Sequence, residues 1–597
     1  MKLGLKLADA TRKKLILFSY SLVSLIPILV GFFCIQSYGV DVLYGDQWDL
    51  AVTVLKGKTS TLPISEIFAL HNEHRIAASR IISLMLTRLF SPWNVKVEMM
   101  IGYAFSILTY GLLAALILKQ CRLFERAEGS SKNLHLGGLS MVASSLLLFS
   151  PVQYENWLWG FQLPWFLVIF CLTAAIFLLD ICFETGVFSA FFLAIAVCVV
   201  ASFSLAHGLF VWVACFPMFL KPELKGWIRA RLGVVWLGSA TLTGLIYLAD
   251  YRKPEGHPST NLVFERPGLA IDFFLNQVGG AFGKIEIPTL IFGLLLIVAY
   301  AIAVISCFKN PKRLQTQCLP WLSIGLFSII FALITTAGRL GLGSGVALVS
   351  RYTTVSLLLP VCLINLARIF LASQKNLKEY KLYTISLLLL AGFLFSSFIT
   401  GYERGLADAR ASSYVRYRAK TCLELYDYLD PQLANECIVN FVYPDPAVPL
   451  SFISRFRQHQ LLEAAPVWDV EARPDFDSAQ GQISDAEILN TPNGDILRIS
   501  GWAFSNGHPG MVLLGNEAAP DLFTLTEVRQ RRRDIAEEFS SNQYLNSGWE
   551  IQVASDKLPD TVNFLTVYFY DFERREIYKL GQVSLADLSV KEVSLRR

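Results

Sequence analysis

The sequence has little charge for its length. Of its 597 residues, only 17% are Asp, Glu, Lys or Arg, 54% are hydrophobic, and the mean hydropathy is +0.47. Soluble domains are about a quarter charged, so this composition excludes an ordinary soluble protein. The net charge is only +4 and comes without a basic stripe, which argues against nucleic acid as a partner. The chain is therefore predicted to be mostly a membrane protein.

Hydrophobic runs recur from Leu15 to about Thr400 and then cease. A bilayer core about 30 Å thick requires about 20 apolar residues per helix, which leaves room for about eleven spans. We predict spans near residues 15–38, 97–118, 134–150, 161–180, 187–206, 209–220, 232–249, 287–308, 318–337, 352–373 and 382–400. Two of these, 134–150 and 209–220, are short for a full crossing.

The distribution of Lys and Arg predicts the orientation of the spans. Basic clusters precede the first span and follow the second, sixth, eighth and tenth, whereas the loop 151–162 has no Lys or Arg. The positive-inside rule then places the N-terminus in the cytoplasm. The loops 41–97, 250–286 and 338–351 and the C-terminal segment lie outside. The first span is too long for a signal-peptide core, so it is predicted to remain as an anchor.

The last third of the chain is predicted to be soluble. We divide the chain into a transmembrane domain over 1–401, a mixed, largely helical region over 402–485 and a β-sandwich over 486–597. Within the middle region the sequence predicts helices over 402–430 and 449–463 and a strand over Cys437–Val442. Alternating polar and apolar residues indicate the short strands of the sandwich. We predict them near 495–504, 511–514, 522–528, 548–554, 563–570 and 576–585.

Most of the eleven cysteines fall inside apolar spans, where a free thiol behaves as a small hydrophobic group. Cys422 and Cys437 are exceptions, because both lie in the predicted external part. Outside the cytoplasm thiols tend to pair, so the sequence favours a disulfide between Cys422 and Cys437. The alternative is two buried, unpaired thiols.

Two carboxylates in the first external loop are candidates for catalysis. Asp46 and Asp49 are three residues apart and would share one face of a helical turn that continues along the membrane surface. Either carboxylate could take a proton from a hydroxyl nucleophile as a general base, or bind a divalent cation with other oxygen ligands. The alternative is a structural role, in which one of them caps the N-terminus of the loop helix.

The stretch from His71 to Arg75 is a second candidate site. It lies between apolar runs, so we expect it on an amphipathic surface helix. His71 and His74 could bind a metal with Glu73 or an Asp of the first loop as a further ligand. A metal site needs three or four ligands, and two histidines at this spacing are a weak signal, so we predict no metal there. Glu73, His74 and Arg75 are instead expected to contact a polar substrate, with Arg75 or Arg80 facing a phosphate. The alternative is an interfacial helix with its polar face in water.

Two arginines flank a glycine-rich external loop. Arg339 precedes this loop and Arg351 follows it. The guanidinium group is the best fork for phosphate oxygens, so we expect both to bind the phosphate of a lipid carrier. The alternative is that they reach ordinary phospholipid head groups. In the aromatic loop 151–162, Glu155 and Gln162 are candidates for sugar contacts, although membrane interfaces also collect aromatic residues. His207 is a weaker candidate.

Together these features resemble the polytopic glycosyltransferases of the GT-C fold, over residues 1–401. The resemblance rests on a topology of about eleven spans with the N-terminus inside, Asp residues soon after the first span, surface helices in that loop and arginines in a late external loop. It implies that Asp46 is the catalytic base, with Asp49 or Asp41 as substitutes, and that Arg339 or Arg351 holds the carrier phosphate. The loop lacks an adjacent Asp-Glu or Asp-x-Asp pair. We therefore predict no cofactor, with a divalent cation as the open alternative.

A second resemblance concerns the C-terminal strands. The stretches Ile499–Phe504, Arg533–Ile535 and Ser547–Trp549 are similar to small β-sandwich modules attached to bacterial cell-envelope glycosylation proteins. This similarity implies that the module binds an acceptor glycan or a partner protein without catalysis.

The expected fold is thus a polytopic α-helical, GT-C-like membrane protein with an external β-sandwich. The expected function is inverting transfer of a sugar from a polyprenyl-phosphate carrier to an envelope glycan or lipid-linked acceptor. It would take place at the outer face of the bacterial inner membrane, with membrane lipids as further partners. One alternative is an O-antigen-type polymerase or ligase. Another is a non-enzymatic transporter or flippase of lipid-linked glycans, although ionisable residues at the ends of spans argue against transport.

Overall fold

The computed structural model describes residues 2–128, 132–252, 258–373, 377–466, 479–492, 494–505, 510–516, 521–558, 562–572 and 574–592. The chain forms two compact units. Unit 1 comprises Met1–Gly39, Thr59–Arg88 and Val95–Ala411, and unit 2 comprises Val40–Lys58, Leu89–Asn94 and Ser412–Arg597. Two pieces of the predicted first external loop thus fold with the C-terminal part of the chain, and the boundary between the units falls after Ala411.

Unit 1 is helical. Its longer helices are Lys2–Tyr38, Ala77–Leu89, Val95–Glu128, Lys132–Leu148, Leu163–Thr185, Phe188–Ser202, Gly226–Leu248, Pro267–Gly279, Glu286–Lys309, Lys312–Arg339, Leu358–Ser373 and Leu377–Glu424, the last of which continues into unit 2. Its short helical turns are Ile64–Ile67, Pro151–Gln153, Tyr154–Trp157, Gly160–Gln162, Ala206–Phe210, Val211–Ala214, Phe216–Leu220, Leu262–Glu265, Gly280–Phe282, Leu340–Leu342, Ser344–Leu348 and Ser350–Ser356.

Eight helical segments among the described residues are long and apolar enough to cross a membrane. They are Thr11–Tyr38, Val95–Phe124, Asn133–Trp157, Gly160–Thr185, Gly226–Leu248, Glu286–Lys309, Lys312–Leu342 and Ser350–Ser373. Two shorter apolar segments, Phe188–Ser202 and Ala206–Leu220, occupy the predicted fifth and sixth spans. The predicted span 382–400 is helical in its backbone, but its side chains as far as residue 397 lie outside the described residues. Unit 1 is therefore a membrane-spanning unit of many helices.

Glycines allow two of these helices to approach closely. A Cβ atom at Gly279 would lie 1.8 Å from the carbonyl oxygen of Thr289, and one at Gly293 would lie 2.0 Å from that of Leu275. Small residues let helix backbones touch in a membrane, where packing rather than hydrophobicity drives association. The helices Pro267–Gly279 and Glu286–Lys309 therefore form a tight antiparallel pair.

The ion pairs described for unit 1 lie at the two ends of the helices. One end, here the lysine end, has a buried carboxylate, that of Asp180, which is paired with Lys119 and Lys221. Glu184 lies beside the same lysines, 2.6 Å from Lys119 Nζ. Paired buried charges cost far less than single ones, which explains why the carboxylate is tolerated there. The opposite end, here the hairpin end, contains residues 70–75, 151–162, 280–286 and 339–351.

Unit 2 begins with the 3₁₀ turn Gly45–Leu50, which leads into the helix Ala51–Thr59. The helices Pro431–Phe441 and Ala447–Gln458 follow the end of the long helix. A disulfide joins Cys422 to Cys437, with 5.8 Å between their Cα atoms. The strand predicted over Cys437–Val442 is wrong. Residues 437–441 belong to the helix Pro431–Phe441. Asp430 caps the N-terminus of this helix by accepting hydrogen bonds from the amides of Gln432 and Leu433, and Pro431 occupies its first position.

The rest of unit 2 is a β-sandwich. The first two strands of the chain, β1 (Leu70–His71) and β2 (His74–Arg75), lie in unit 1. The strands of the sandwich are β3 (Ala479–Thr491), β4 (Gly494–Ser505), β5 (Gly510–Gly515), β6 (Leu522–Glu527), β7 (Gly548–Ala554), β8 (Phe564–Asp571), β9 (Glu576–Ser584) and β10 (Ser589–Glu592). One sheet has the strand order β10-β3-β4-β7 and the other the order β6-β5-β8-β9. A short helix, Arg533–Glu538, and the turns Asn542–Asn546, Ser555–Lys557 and Leu585–Asp587 connect them.

Inward-facing residues of both sheets share one core, which includes Leu497, Trp549 and Val567. Alternation along the strands explains why six of the strands could be predicted. The sequence missed β3 and β10, which pair in parallel at the edge of one sheet. The first strand begins at Ala479, before the predicted start of the sandwich at 486.

Candidate functional site

The residues His71 to Arg75 form a β-hairpin, so the amphipathic helix predicted for this stretch is wrong. The strand β1 pairs antiparallel with β2, and His71 lies opposite His74. Asn72 in the turn has φ +50, a left-handed conformation that Asn adopts more readily than most residues. A surface helix begins only afterwards, at Ala77. The turn therefore presents Glu73 at the tip of the hairpin.

The two histidines have different surroundings. His71 is buried with its ring edge-on to Phe161, at a centroid distance of 5.2 Å. His74 Nδ1 accepts a hydrogen bond of 3.2 Å from the amide of Ala206. The proton of the neutral ring is then on Nε2, which lies 3.5 Å from Glu73 Oε1. In the part of the chain that the structure describes, no group of three or more His, Cys, Asp or Glu side chains could hold a metal.

Glu73 and Arg339 form an ion pair across a long sequence separation. Arg339 is the last residue of the helix Lys312–Arg339, and its Nη2 donates to Glu73 Oε1. The side chains are 22% and 21% exposed, so both remain within reach of a ligand. Glu73, His74 and Arg339 are thus brought together at the hairpin end.

Arg351 and Glu155 form a second pair. Arg351 Nη1 lies 3.6 Å from Glu155 Oε1. The backbone around Arg351 is held by Asn156, whose Nδ2 donates to the Arg351 carbonyl at 2.8 Å and to Thr354 Oγ1 at 2.7 Å. Asn156 is 1% exposed, so these two bonds are shielded from water. The sequence did not single out Asn156, because an isolated Asn in an aromatic loop has no distinguishing pattern.

A third cation at this end, Lys284, was also missed. Its Nζ lies 2.7 Å from Asp408 Oδ2 and 4.8 Å from the centre of the Tyr154 ring. Lys284 belongs to the predicted external loop 250–286 and Tyr154 to the loop 151–162. The sequence could have suggested a contact between Lys284 and Tyr154 only through the predicted external location of both loops. The hairpin end thus contains three cation–carboxylate pairs.

Arg75 has a different role in this structure from the phosphate contact that the sequence predicts. Its guanidinium group donates to the carbonyls of Tyr247 (2.7 Å), Phe68 (2.6 Å) and Ala249. These bonds tie the hairpin to the end of the helix Gly226–Leu248. Arg80 is buried and donates to the carbonyls of Ile67 and Ala69, and burial lowers its pKa to about 10. Arg339 and Arg351 differ from Arg75 and Arg80 in that their partners include carboxylates.

Aromatic rings lie between the surroundings of Arg339 and those of Arg351. Trp165 lies 4.9 Å from the His207 ring and 5.9 Å from that of Tyr352, measured between centroids. His207 also meets Phe331 edge-on, and its Nε2 has no hydrogen-bond partner among the described residues. These rings lie between the His74 contact at Ala206 and the helix Ser350–Ser356, which contains Arg351. Gln162 is buried. It directly precedes the helix Leu163–Thr185, which contains Trp165.

Asp46 and Asp49 belong to unit 2, whereas the two arginines belong to unit 1. Tyr44, and neither Asp, occupies the N-cap of the 3₁₀ turn Gly45–Leu50, which leads into the loop helix. Asp49 is exposed and accepts a 2.6 Å hydrogen bond from the Tyr443 hydroxyl. Desolvation, this bond and the charges of Asp49, Asp46 and Asp445 raise the pKa of Tyr443. These side chains form a small acidic cluster within unit 2.

No protein-family model matches the chain, and no curated protein is significantly similar to it. Its function must therefore be inferred from the groups that the fold brings together.

Proposed function

We propose that the chain is a membrane glycosyltransferase that moves a sugar from a polyprenyl-phosphate carrier to an envelope glycan or lipid-linked acceptor. The observation that carries this proposal is the set of three cations at the hairpin end that are each paired with a carboxylate. Arg339, Arg351 and Lys284 are each paired with a carboxylate and partly exposed. Cations at the end of membrane helices suit a ligand that has an anionic head and an apolar tail.

The chemistry of the proposed reaction requires such cations. The acceptor hydroxyl attacks the anomeric carbon, the bond from that carbon to the carrier oxygen breaks, and its electron pair stays on the phosphate. Fixed donors directed at the oxygen that gains charge lower the barrier. Arg339 and Arg351 supply forked donors, and Lys284 adds a point charge. The hydroxyl proton goes to a carboxylate base, for which Asp46, or Asp49 in its place, stays the prediction from the family resemblance.

We place the hairpin end on the outer side of the membrane. Lys119 and Lys221 lie at the opposite end, where Arg313 also donates to the carbonyl of Leu123. Clustered basic residues mark the cytoplasmic side. Unit 2 is then external, which agrees with the Cys422–Cys437 disulfide, since such bonds persist in oxidising compartments. The compartment proposed for unit 2 is the periplasm of a bacterial cell, where its sandwich would hold the acceptor.

Two experiments test the proposal. Surface glycans are compared between cells with and without the protein, and a specific sugar or linkage should be missing without it. The purified chain in lipid nanodiscs is then incubated with polyprenyl-phosphate sugars and the glycan acceptor. The Arg351→Gln variant should transfer far more slowly, whereas Glu184→Gln at the lysine end should not. Unchanged glycans and equal rates for all three proteins would refute the proposal.

One observation favours a related second candidate, an O-antigen-type polymerase or ligase. Those enzymes rely on arginine and histidine in external loops, and His74 lies beside the Glu73–Arg339 pair. The donor that is turned over, a monophosphate-linked or a diphosphate-linked lipid sugar, is the property by which we separate the two candidates. Turnover of the diphosphate-linked donor without turnover of the monophosphate-linked donor would favour the second candidate.

A further inference from the structure

We propose that Glu73 and Glu155 make the two arginines selective for a doubly charged phosphate monoester over the singly charged phosphodiesters of membrane lipids. This inference rests on the proposed function. It assigns Glu73 and Glu155 a role in specificity, whereas the transfer reaction alone requires only the arginines. Its basis is that Arg339 and Arg351 are each paired with a glutamate.

An arginine at a membrane surface has abundant competing ligands. Anionic lipid head groups attract basic side chains, and an unpaired guanidinium would bind them in preference to a scarce carrier. A phosphodiester carries one negative charge, as does the carboxylate that it would have to displace. Exchange of Glu73 for such a head group therefore gains little electrostatic energy at Arg339, and the same holds for Glu155 at Arg351.

The transfer reaction changes this balance. A polyprenyl-phosphate sugar is itself a phosphodiester with one charge. When its sugar–oxygen bond breaks, the electron pair remains on the carrier, which becomes a monoester with a charge of about −1.5 to −2 at neutral pH. Only this developing charge exceeds the single negative charge of the glutamate that either arginine would leave. The arginines would therefore move to phosphate as the bond breaks, which stabilises the transition state more than the bound donor.

The surroundings of the glutamates allow them to release the arginines. Glu73 has His74 as a neighbour, with Nε2 at 3.5 Å, and the ring of His74 is fixed by the amide of Ala206. A carboxylate that loses its arginine therefore keeps a hydrogen-bond donor, which avoids the cost of an unpaired buried charge. Arg351 is 34% exposed and Glu155 21%, so solvent can also replace the lost contact.

The test measures binding of farnesyl phosphate, a monoester, to the full-length chain in nanodiscs. One set of discs contains only phosphatidylcholine, and the other also contains phosphatidylglycerol, an anionic phosphodiester. Wild type should have nearly the same Kd in both. In the Glu73→Gln/Glu155→Gln variant, phosphatidylglycerol should weaken farnesyl phosphate binding by about fivefold, the limit that partly exposed ion pairs allow.

Matched variants separate this effect from damage to the fold. Glu184→Gln removes a carboxylate from lysine pairs at the other end and should behave as wild type. If the double variant resists phosphatidylglycerol as well as wild type does, the selectivity role is overturned while the proposed function stands. If farnesyl phosphate binding is unchanged in Arg339→Gln/Arg351→Gln, the proposed function itself is overturned.

Discussion

Arg351 and Arg75 lie at the same end of unit 1, yet their substitution by glutamine should have opposite consequences. Arg351 has a solvent-accessible side chain and a loose ion pair, with 3.6 Å between its Nη1 and Glu155 Oε1. Loss of such a pair costs less than about 1 kcal/mol of stability. Loss of a donor directed at a developing charge lowers kcat by about 100-fold or more. Arg351→Gln should therefore remain stable and lose transfer.

Arg75 makes three hydrogen bonds to backbone carbonyls, and no carboxylate lies among these partners. Charge-assisted bonds contribute about 1.5 kcal/mol or more each, and partial exposure reduces this value, so the total is about 3 kcal/mol. Arg75→Gln should lower the thermal unfolding temperature clearly. The rate per folded molecule should stay within a few-fold of wild type, because the group is not directed at substrate.

The assay pairs two measurements on each variant in the same nanodiscs. Thermal unfolding is followed by loss of monodisperse protein, and transfer is followed as labelled sugar moved to the acceptor per folded molecule. A variant Arg351→Gln that unfolds as early as Arg75→Gln would refute the reasoning. Loss of transfer in a fully folded Arg75→Gln protein would refute it equally, because that result would return the phosphate contact to Arg75.

Four further predictions follow from the structure and the family resemblance. Asp46→Asn should abolish transfer without affecting expression or membrane insertion, and wild-type transfer in that variant would exclude Asp46 as the base. Replacing Cys422 and Cys437 with serine should destabilise unit 2 by about 3 kcal/mol, the value expected for a bond that closes a loop of this length. Denaturant unfolding monitored by fluorescence checks this value, and an unchanged midpoint would contradict it. Asn156→Ala leaves a buried carbonyl and hydroxyl without their donor, so it should lower stability by about 2 kcal/mol and also slow transfer. If Asn156→Ala is destabilised but transfers sugar at the normal rate, Asn156 does not position Arg351 for transfer.

The fourth prediction concerns alkaline pH. The pKa of Tyr443 is raised in the folded protein, so the stability that this hydroxyl provides is present below its unfolded pKa of about 10 and falls as the pH rises above it. Unfolding of unit 2 between pH 9 and 11 should therefore become easier, and Tyr443→Phe should reduce this dependence. An identical pH profile for the variant would contradict the assignment.

The sequence predicted elements well where the determining signal is local. Apolar runs of sufficient length marked the spans, and alternation marked six strands of the sandwich, because each pattern depends only on neighbouring residues. The prediction of secondary structure failed where two local signals in the same stretch favoured different structures. The apolar stretch Cys437–Val442 suggested a strand, but the Asp430–Pro431 cap starts a helix through it. His71 and His74 suggested one helical face, but a turn at Asn72 makes them opposing strand residues.

The candidate site divides in the same way. The types of residue and their expected location at the ends of membrane spans were predictable, because arginine, glutamate and histidine in external loops can be read from the sequence. Their pairing was not. Glu73 and Arg339 are 266 residues apart, and Lys284 meets Asp408 across 124 residues. The assignment of Asp46 and Asp49 to unit 2 was also invisible in the sequence, because it depends on contacts of residues 40–58 with the C-terminal part of the chain.

Composition and hydrophobic length determine that this chain spans a membrane many times, because a bilayer imposes the same length requirement on every helix independently of its neighbours. Which cation meets which carboxylate is decided only when helices distant in sequence pack together. An ion pair requires two side chains within a few ångströms of each other, and no local pattern encodes that distance.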